Sequence, residues 1–200
     1  LGCINEIDLS EYKCYYVIAD PVKRFIDHCY NIKKNGLYMK ALFQKEFDAV
    51  SNPQELEIPS YATISPNFSL PQLNQEFQEL YHSITYKDVA ERLLDFPFMW
   101  KDFDLARVPQ CYYDDPRATA IAFPKFREKI IDFYEEHDIS PADLYFIPHH
   151  VSYGDGCEIL GEEYFGQDLI ERIKLAYSED VELFNKAMES WGISGRIRRT

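Results

Sequence analysis

Hydrophobic and polar positions along this chain change period abruptly near residue 20. Tyr15, Tyr16, Val17 and Ile18 form a short apolar run, aromatic and β-branched, that stops at Asp20-Pro21 and predicts a buried strand. From Pro21 the period is helical, with Val22, Phe25, Ile26 and Cys29 at three- and four-residue spacing on one face. Pro21 has the fixed φ that suits a first helical position, Asp20 is a good N-cap, and Asn35-Gly36 is a stop signal, so a helix is expected from Pro21 to Lys34. A strand feeding a helix through a tight turn is half of an α/β unit.

Further along, Leu37, Ala41, Phe43, Phe47 and Val50 make a loose stripe that predicts a second helix over 37–50. Residues 51–75 hold four prolines and no sustained period, which reads as an extended excursion or lid. Gln75 to His82 is weakly helical. Thr85 to Phe96 is clearly so, with Thr85 as N-cap, Asp88 at the capping-box position, and Val89, Leu93 and Phe96 facing inward. An aromatic-dense run follows, then a short strand at Ile121 to Phe123 and a helix from Phe126 to His137. One last helix, from Gln167 to about Trp191, puts Leu169, Ile170, Ile173, Tyr177, Val181, Phe184 and Met188 on one face.

The turn after the first strand is where chemistry is expected. A helix N-terminus presents unpaired N–H groups and the positive end of the helix dipole, and Arg24, one turn in, adds a forked donor, so an anion is the natural ligand. Charge sharpens this reading. The chain of 200 residues has a net charge of −13, which argues against nonspecific nucleic-acid binding. Residues 1–45 nevertheless hold seven basic residues (Lys13, Lys23, Arg24, Lys33, Lys34, Lys40, Lys45) against five acidic ones, a basic island around the turn. Lysines solvating a helix would give the same pattern.

The same residues carry a resemblance. The run Val17-Ile18-Ala19-Asp20-Pro21-Val22-Lys23-Arg24-Phe25-Ile26-Asp27 resembles the 3'-phosphate-binding segment of the sulfotransferases that use PAPS (3'-phosphoadenosine 5'-phosphosulfate), in particular the Golgi-type and bacterial carbohydrate branch. The Asp-Pro-x-x-Arg-Phe core matches. Where that family has an arginine before the Asp-Pro and a serine three residues after the second arginine, this chain has Ala19 and Asp27. The order continues with Leu93-Leu94, then Pro109-Gln110 followed by Tyr112-Tyr113, then Tyr145-Phe146-Ile147-Pro148-His149-His150. It closes with Tyr177-Ser-Glu-Asp180-Val-Glu-Leu183-Phe184, similar to the family's Tyr-x-x-Asp-x-x-Leu-Phe.

The resemblance implies a P-loop nucleoside-kinase-like α/β domain with a small, mainly parallel sheet flanked by helices. It implies PAPS or PAP at Asp20, Pro21, Arg24 and Asp27, and sulfuryl transfer to a hydroxyl of a carbohydrate or other small acceptor. A non-catalytic relative that binds an anionic glycan or a protein partner is the alternative. The family's second cofactor element, a P-loop-like strand, turn and helix upstream of the Asp-Pro strand, has no counterpart in the 14 residues before Tyr15.

Length and composition set the frame. The chain suffices for one domain, and 46% hydrophobic with 16% aromatic residues is a globular composition. No apolar run approaches the ~20 residues of a membrane helix, and the first residues lack a signal-peptide pattern, so a cytoplasmic protein is the default expectation. The missing initial Met leaves room for an N-terminally incomplete chain. Cys3, Cys14, Cys29, Cys111 and Cys157 contain no C-x-x-C pair and read as reduced thiols. His28, His82, His149 and His150 are the ring bases near candidate loops. Adjacent His149-His150 with Asp155 lacks the spacing of a metal site.

Overall fold

Two short strands carry the α/β character. The computed structural model describes residues 14–34, 36–50, 75–95, 109–113, 116–123 and 155–190. Strand β1 is Cys14–Ile18 and strand β2 is Ala118–Ala122. They pair in parallel, Cys14 opposite Ala118 through Ile18 opposite Ala122. Among the described residues the architecture is helix-rich α/β with this small parallel sheet. β2 starts three residues earlier than the expected Ile121: Ala118 and Ala120 have weak strand preference of their own, and pairing with Cys14 and Tyr16 holds them in the ladder.

The described helices are α1 (Pro21–Lys34), α2 (Gly36–Leu42), α3 (Gln44–Val50), α4 (Gln75–Ser83), α5 (Tyr86–Asp95), α6 (Asp155–Phe165), α7 (Gln167–Ala176) and α8 (Ser178–Ser190). A 3-10 turn spans Gln110–Tyr113. The chain forms two compact units. Described residues 14–21, 109–113, 116–123 and 177–190 belong to the first, and 22–34, 36–50, 75–95 and 155–176 to the second.

In the first unit, α8 packs on both strands and on the 3-10 turn. Ile18, Ala122, Phe184, Ala187 and Met188 form its core, with Tyr16, Ala120 and Leu183 against them. The strand expected to be buried is covered on one face only. Ile18 is fully buried, whereas Tyr15 and Val17 are 41% and 38% exposed, since alternate side chains of a strand point to opposite faces.

In the second unit, α5 packs on α7 and α2, α3 packs on α4, and α6 on α7. Val22, Phe25, Ile26 and Cys29 are buried along α1, as their spacing predicts. The capping box at α5 is present. Thr85 N–H and hydroxyl both donate to Asp88 Oδ2 at 2.6 Å, and Asp88 N–H donates to Thr85 Oγ1 at 3.2 Å. These bonds to Thr85 hold the Asp88 carboxyl below its ordinary value, against a smaller opposing effect of burial.

Two expected helices are each divided. The 37–50 helix breaks at Phe43 into α2 and α3, and the 167–191 helix breaks at Tyr177 into α7 and α8. Both joints keep helical bonds, from Phe47 N–H to Phe43 C=O at 3.0 Å and from Val181 N–H to Tyr177 C=O at 2.9 Å. Helical hydrogen bonding therefore runs on across both joints. Helix α6 was not expected, and two glycines inside it explain why. Gly161 has φ +63°, which kinks the helix, and Gly156 sits where α6 meets α1 too closely for a side chain. The 51–75 lid up to residue 74, the 126–137 helix, the 145–150 loop and Phe96 lie outside the described residues.

Candidate functional site

The strand-to-helix turn follows from β1 ending at Ile18 and Pro21 opening α1. Asp20, between them, is 8% exposed. Asp20 and Pro21 are the last residues of the first unit in this part of the chain, and Arg24 and Asp27 lie on α1 in the second. Each set is described within its own unit.

In the first unit, three stretches far apart in sequence meet at the residue before Asp20. The side-chain amide of Gln110 takes both main-chain groups of Ala19. Ala19 N–H donates to Gln110 Oε1 at 2.9 Å, and Gln110 Nε2–H donates to Ala19 C=O at 2.8 Å. A primary amide has the donor and acceptor of a peptide group, so Gln110 acts on Ala19 as a neighbouring strand would. Gln110 is itself held at its main chain. Asp180 Oδ2 accepts the Gln110 N–H at 2.7 Å, and Asp180 Oδ1 accepts the Cys111 N–H at 2.8 Å.

Asp180 is fully buried, in the first turn of α8. Three conditions make that burial tolerable. The two N–H donors belong to the open first turn of the 3-10 segment, each carboxyl oxygen accepts one of them, and the open N–H groups at the α8 N-terminus suit an acceptor. Cys111, next along, donates its thiol to Glu179 Oε2 at 3.3 Å. Desolvation, then the two carboxylates of Glu179 and Asp180, push its thiol up to about 12. A thiol of that kind is not a nucleophile at neutral pH.

In the second unit, Asp27 faces another helix. Asp27 Oδ1 accepts the N–H of Gly156, in the first turn of α6, at 3.1 Å, and Oδ2 accepts from Asn31 Nδ2 at 3.0 Å. Cys157 donates its thiol to the Lys23 carbonyl at 2.9 Å. The carboxylate that stands where the sulfotransferase pattern has serine thus meets the N-terminus of a helix. Arg24 is half-buried on the same helix.

The basic island around the turn divides by use. Lys33 donates to the Tyr81 carbonyl and lies over the Tyr81 ring at 4.5 Å, while Tyr81 donates its hydroxyl back to the Lys33 carbonyl. Desolvation lowers the Lys33 ammonium pKa, with Asp88 opposing. Lys34 lies over the Tyr30 ring at 4.2 Å. These two lysines therefore anchor tyrosines of the second unit. Tyr30 stacks on Tyr86 at 5.8 Å, and Tyr86 meets Tyr164 edge-on at 6.0 Å.

His28 is half-buried on α1, and His82 is exposed on α4, edge-on to Tyr81 at 5.7 Å. His149 and His150 lie outside the described residues. Among the described residues no group of His, Cys, Asp and Glu is arranged to hold a metal, and no helix is long and apolar enough to cross a membrane.

Sequence reading marked Gln110 and Asp180 as landmarks and assigned them no role. No local signal links two residues 70 positions apart, and the single helix expected over 167–191 put Asp180 in its middle. No protein-family model, no curated protein and no solved structure matches the chain.

Proposed function

We propose that this chain is a sulfotransferase-like protein whose turn at Asp20-Pro21 receives the 3'-phosphate of PAPS or of its product PAP, and that it transfers the sulfuryl group to a hydroxyl of a carbohydrate or small acceptor. One observation carries the reading. Three of the segments on which the resemblance rests, Ala19-Asp20-Pro21, Pro109-Gln110 and the helix of Asp180, converge through the hydrogen bonds of Gln110. That these segments meet within one compact unit, in the order the family pattern has them, supports the reading.

PAPS, when bound, supplies an activated sulfuryl group. The chain's own part is to neutralise and position. The N–H groups opening α1 and the guanidinium of Arg24 suit the charge of a phosphate. Asp27, as an acceptor of two hydrogen bonds, has part of its charge met by Gly156 and Asn31, which lessens its repulsion of an anion nearby.

Ala19 and Asp27 favour a second reading, a non-catalytic module that keeps the scaffold and binds an anionic glycan or a protein partner. Calorimetric titration with PAP, beside adenosine 5'-phosphate as the control without a 3'-phosphate, separates the two. Binding that needs the 3'-phosphate and weakens in Arg24→Ala supports the first. A folded sample that ignores millimolar PAP sinks it.

A further inference from the structure

The bonds at Ala19 form a chain of command with a direction. Asp180 fixes the main chain of Gln110 and Cys111, and Gln110, so held, fixes the two peptide groups flanking the α-carbon of Ala19. Ala19 is the residue through which β1 hands over to Asp20-Pro21. Its N–H and C=O lie one position past the last ladder pair, Ile18 with Ala122, where the sheet no longer specifies the backbone. Without Gln110 these groups would turn to water, and the direction of the chain into Pro21 would be set by that residue alone.

We infer that Asp180 and Gln110 are a positioning pair for the phosphate-receiving turn. Neither touches the ligand; both act through the backbone of Ala19. This rests on the sulfotransferase-like reading for its ligand, and on the hydrogen-bond geometry for the pair itself. The sulfotransferase pattern has an arginine at the position of Ala19. Here a small side chain leaves that residue's main chain to do the work, and a remote amide holds it.

Two measurements on the full chain keep the pair and the ligand distinguishable. The first is amide hydrogen exchange, followed residue by residue. In Gln110→Ala the Ala19 amide should exchange at least about tenfold faster, while the Gln110 and Cys111 amides, still bonded to Asp180, should keep their protection. In Asp180→Asn, which keeps only one acceptor oxygen, protection should fall at Gln110 or Cys111 and also at Ala19. An Ala19 amide that exchanges at the wild-type rate in Gln110→Ala overturns the inference. So does an Ala19 amide unaffected in a folded Asp180→Asn. Should Asp180→Asn not fold, Gln110→Ala decides alone.

The second is PAP affinity against adenosine 5'-phosphate. Gln110→Ala should bind PAP at least about tenfold more weakly and lose preference for the 3'-phosphate, with the control affinity unmoved. A merely structural loss would weaken both nucleotides alike, and that result removes the positioning role. Wild type that does not bind PAP removes the ligand, and the exchange data still decide whether the pair orders the turn.

Discussion

Asp27 and Gly156 approach so closely that a Cβ placed on Gly156 would fall 2.7 Å from the Asp27 α-carbon, while Asp27 Oδ1 accepts the Gly156 N–H at 3.1 Å. The hydrogen bond and the absent side chain depend on one another. Gly156→Ala would also bring its methyl 2.7 Å from Tyr30 Cβ, so α1 and α6 must move apart. We expect a loss of about 1–3 kcal/mol in urea unfolding, with the slope unchanged. A variant as stable as wild type would show that the two helices have room to yield.

The capping box at α5 gives a prediction with a pH signature. Thr85→Ala should cost about 1 kcal/mol, as N-cap removals do. Because the folded Asp88 pKa is depressed, its contribution is complete above the unfolded value near 3.9 and is lost as pH falls through the lower folded value. The stability difference between wild type and Asp88→Asn should therefore be constant from about pH 5 to 7 and shrink below about pH 4. A difference that persists at pH 2 would mean that the ionised carboxylate is not what supports the cap.

Cys111 should be a poor thiol in the native chain. With its pKa near 12, the thiolate fraction at pH 8 is lower by about three orders of magnitude than for an ordinary cysteine. Part of that is returned as greater nucleophilicity, so alkylation should be slower by a factor of tens, roughly, than in the urea-unfolded chain. Folding also resists loss of the proton, so stability should fall as pH rises from about 9 toward 12, and Cys111→Ser should flatten the decline. Peptide mapping after timed iodoacetamide treatment reads the first effect. Modification of Cys111 at the unfolded rate would contradict its contact with Glu179.

Arg92 joins two kinds of contact. Its guanidinium pairs with Glu46 and lies over the Phe43 ring at 4.9 Å. Lysine keeps the charge and loses the planar fork, so Arg92→Lys should cost about 0.5–1.5 kcal/mol, with Arg92→Ala worse, because Glu46 Oε2 is already buried without a hydrogen-bond partner among the described residues. Glu46→Gln should restore part of the stability lost in Arg92→Ala. Equal stability of the Arg and Lys forms at low and high salt would reduce the contact to a surface ion pair.

How far the sequence was legible depends on the range of each signal. The strand before Asp20, the helix from Pro21 and the Thr85–Asp88 box were readable, because period, proline geometry and capping act within a few residues. The breaks at Phe43 and Tyr177 were not. Ile173, Tyr177 and Val181 step by four through the second joint, with no glycine or proline to interrupt them. What divides them is tertiary: α7 serves the second unit and α8 the first. The burial of Asp180 was equally hidden, since an Asp within an expected helix ordinarily faces water, and here its donors come from Gln110 and Cys111.

The parallel pairing of β1 with β2 also has a bearing on how the protein is made. Ile18 must wait for Ala122, about a hundred residues later, and then for Phe184 and Met188 to complete the core around it. At roughly 5–20 residues per second, an apolar strand stays without its partner for about 5–20 s of synthesis, and without its covering helix for longer still. In that interval Tyr15 to Ile18 is an open strand edge on a growing polypeptide, of the kind that other chains pair with. The first unit is thus the part of this protein whose assembly depends most on the chain being left undisturbed until Met188 has been made.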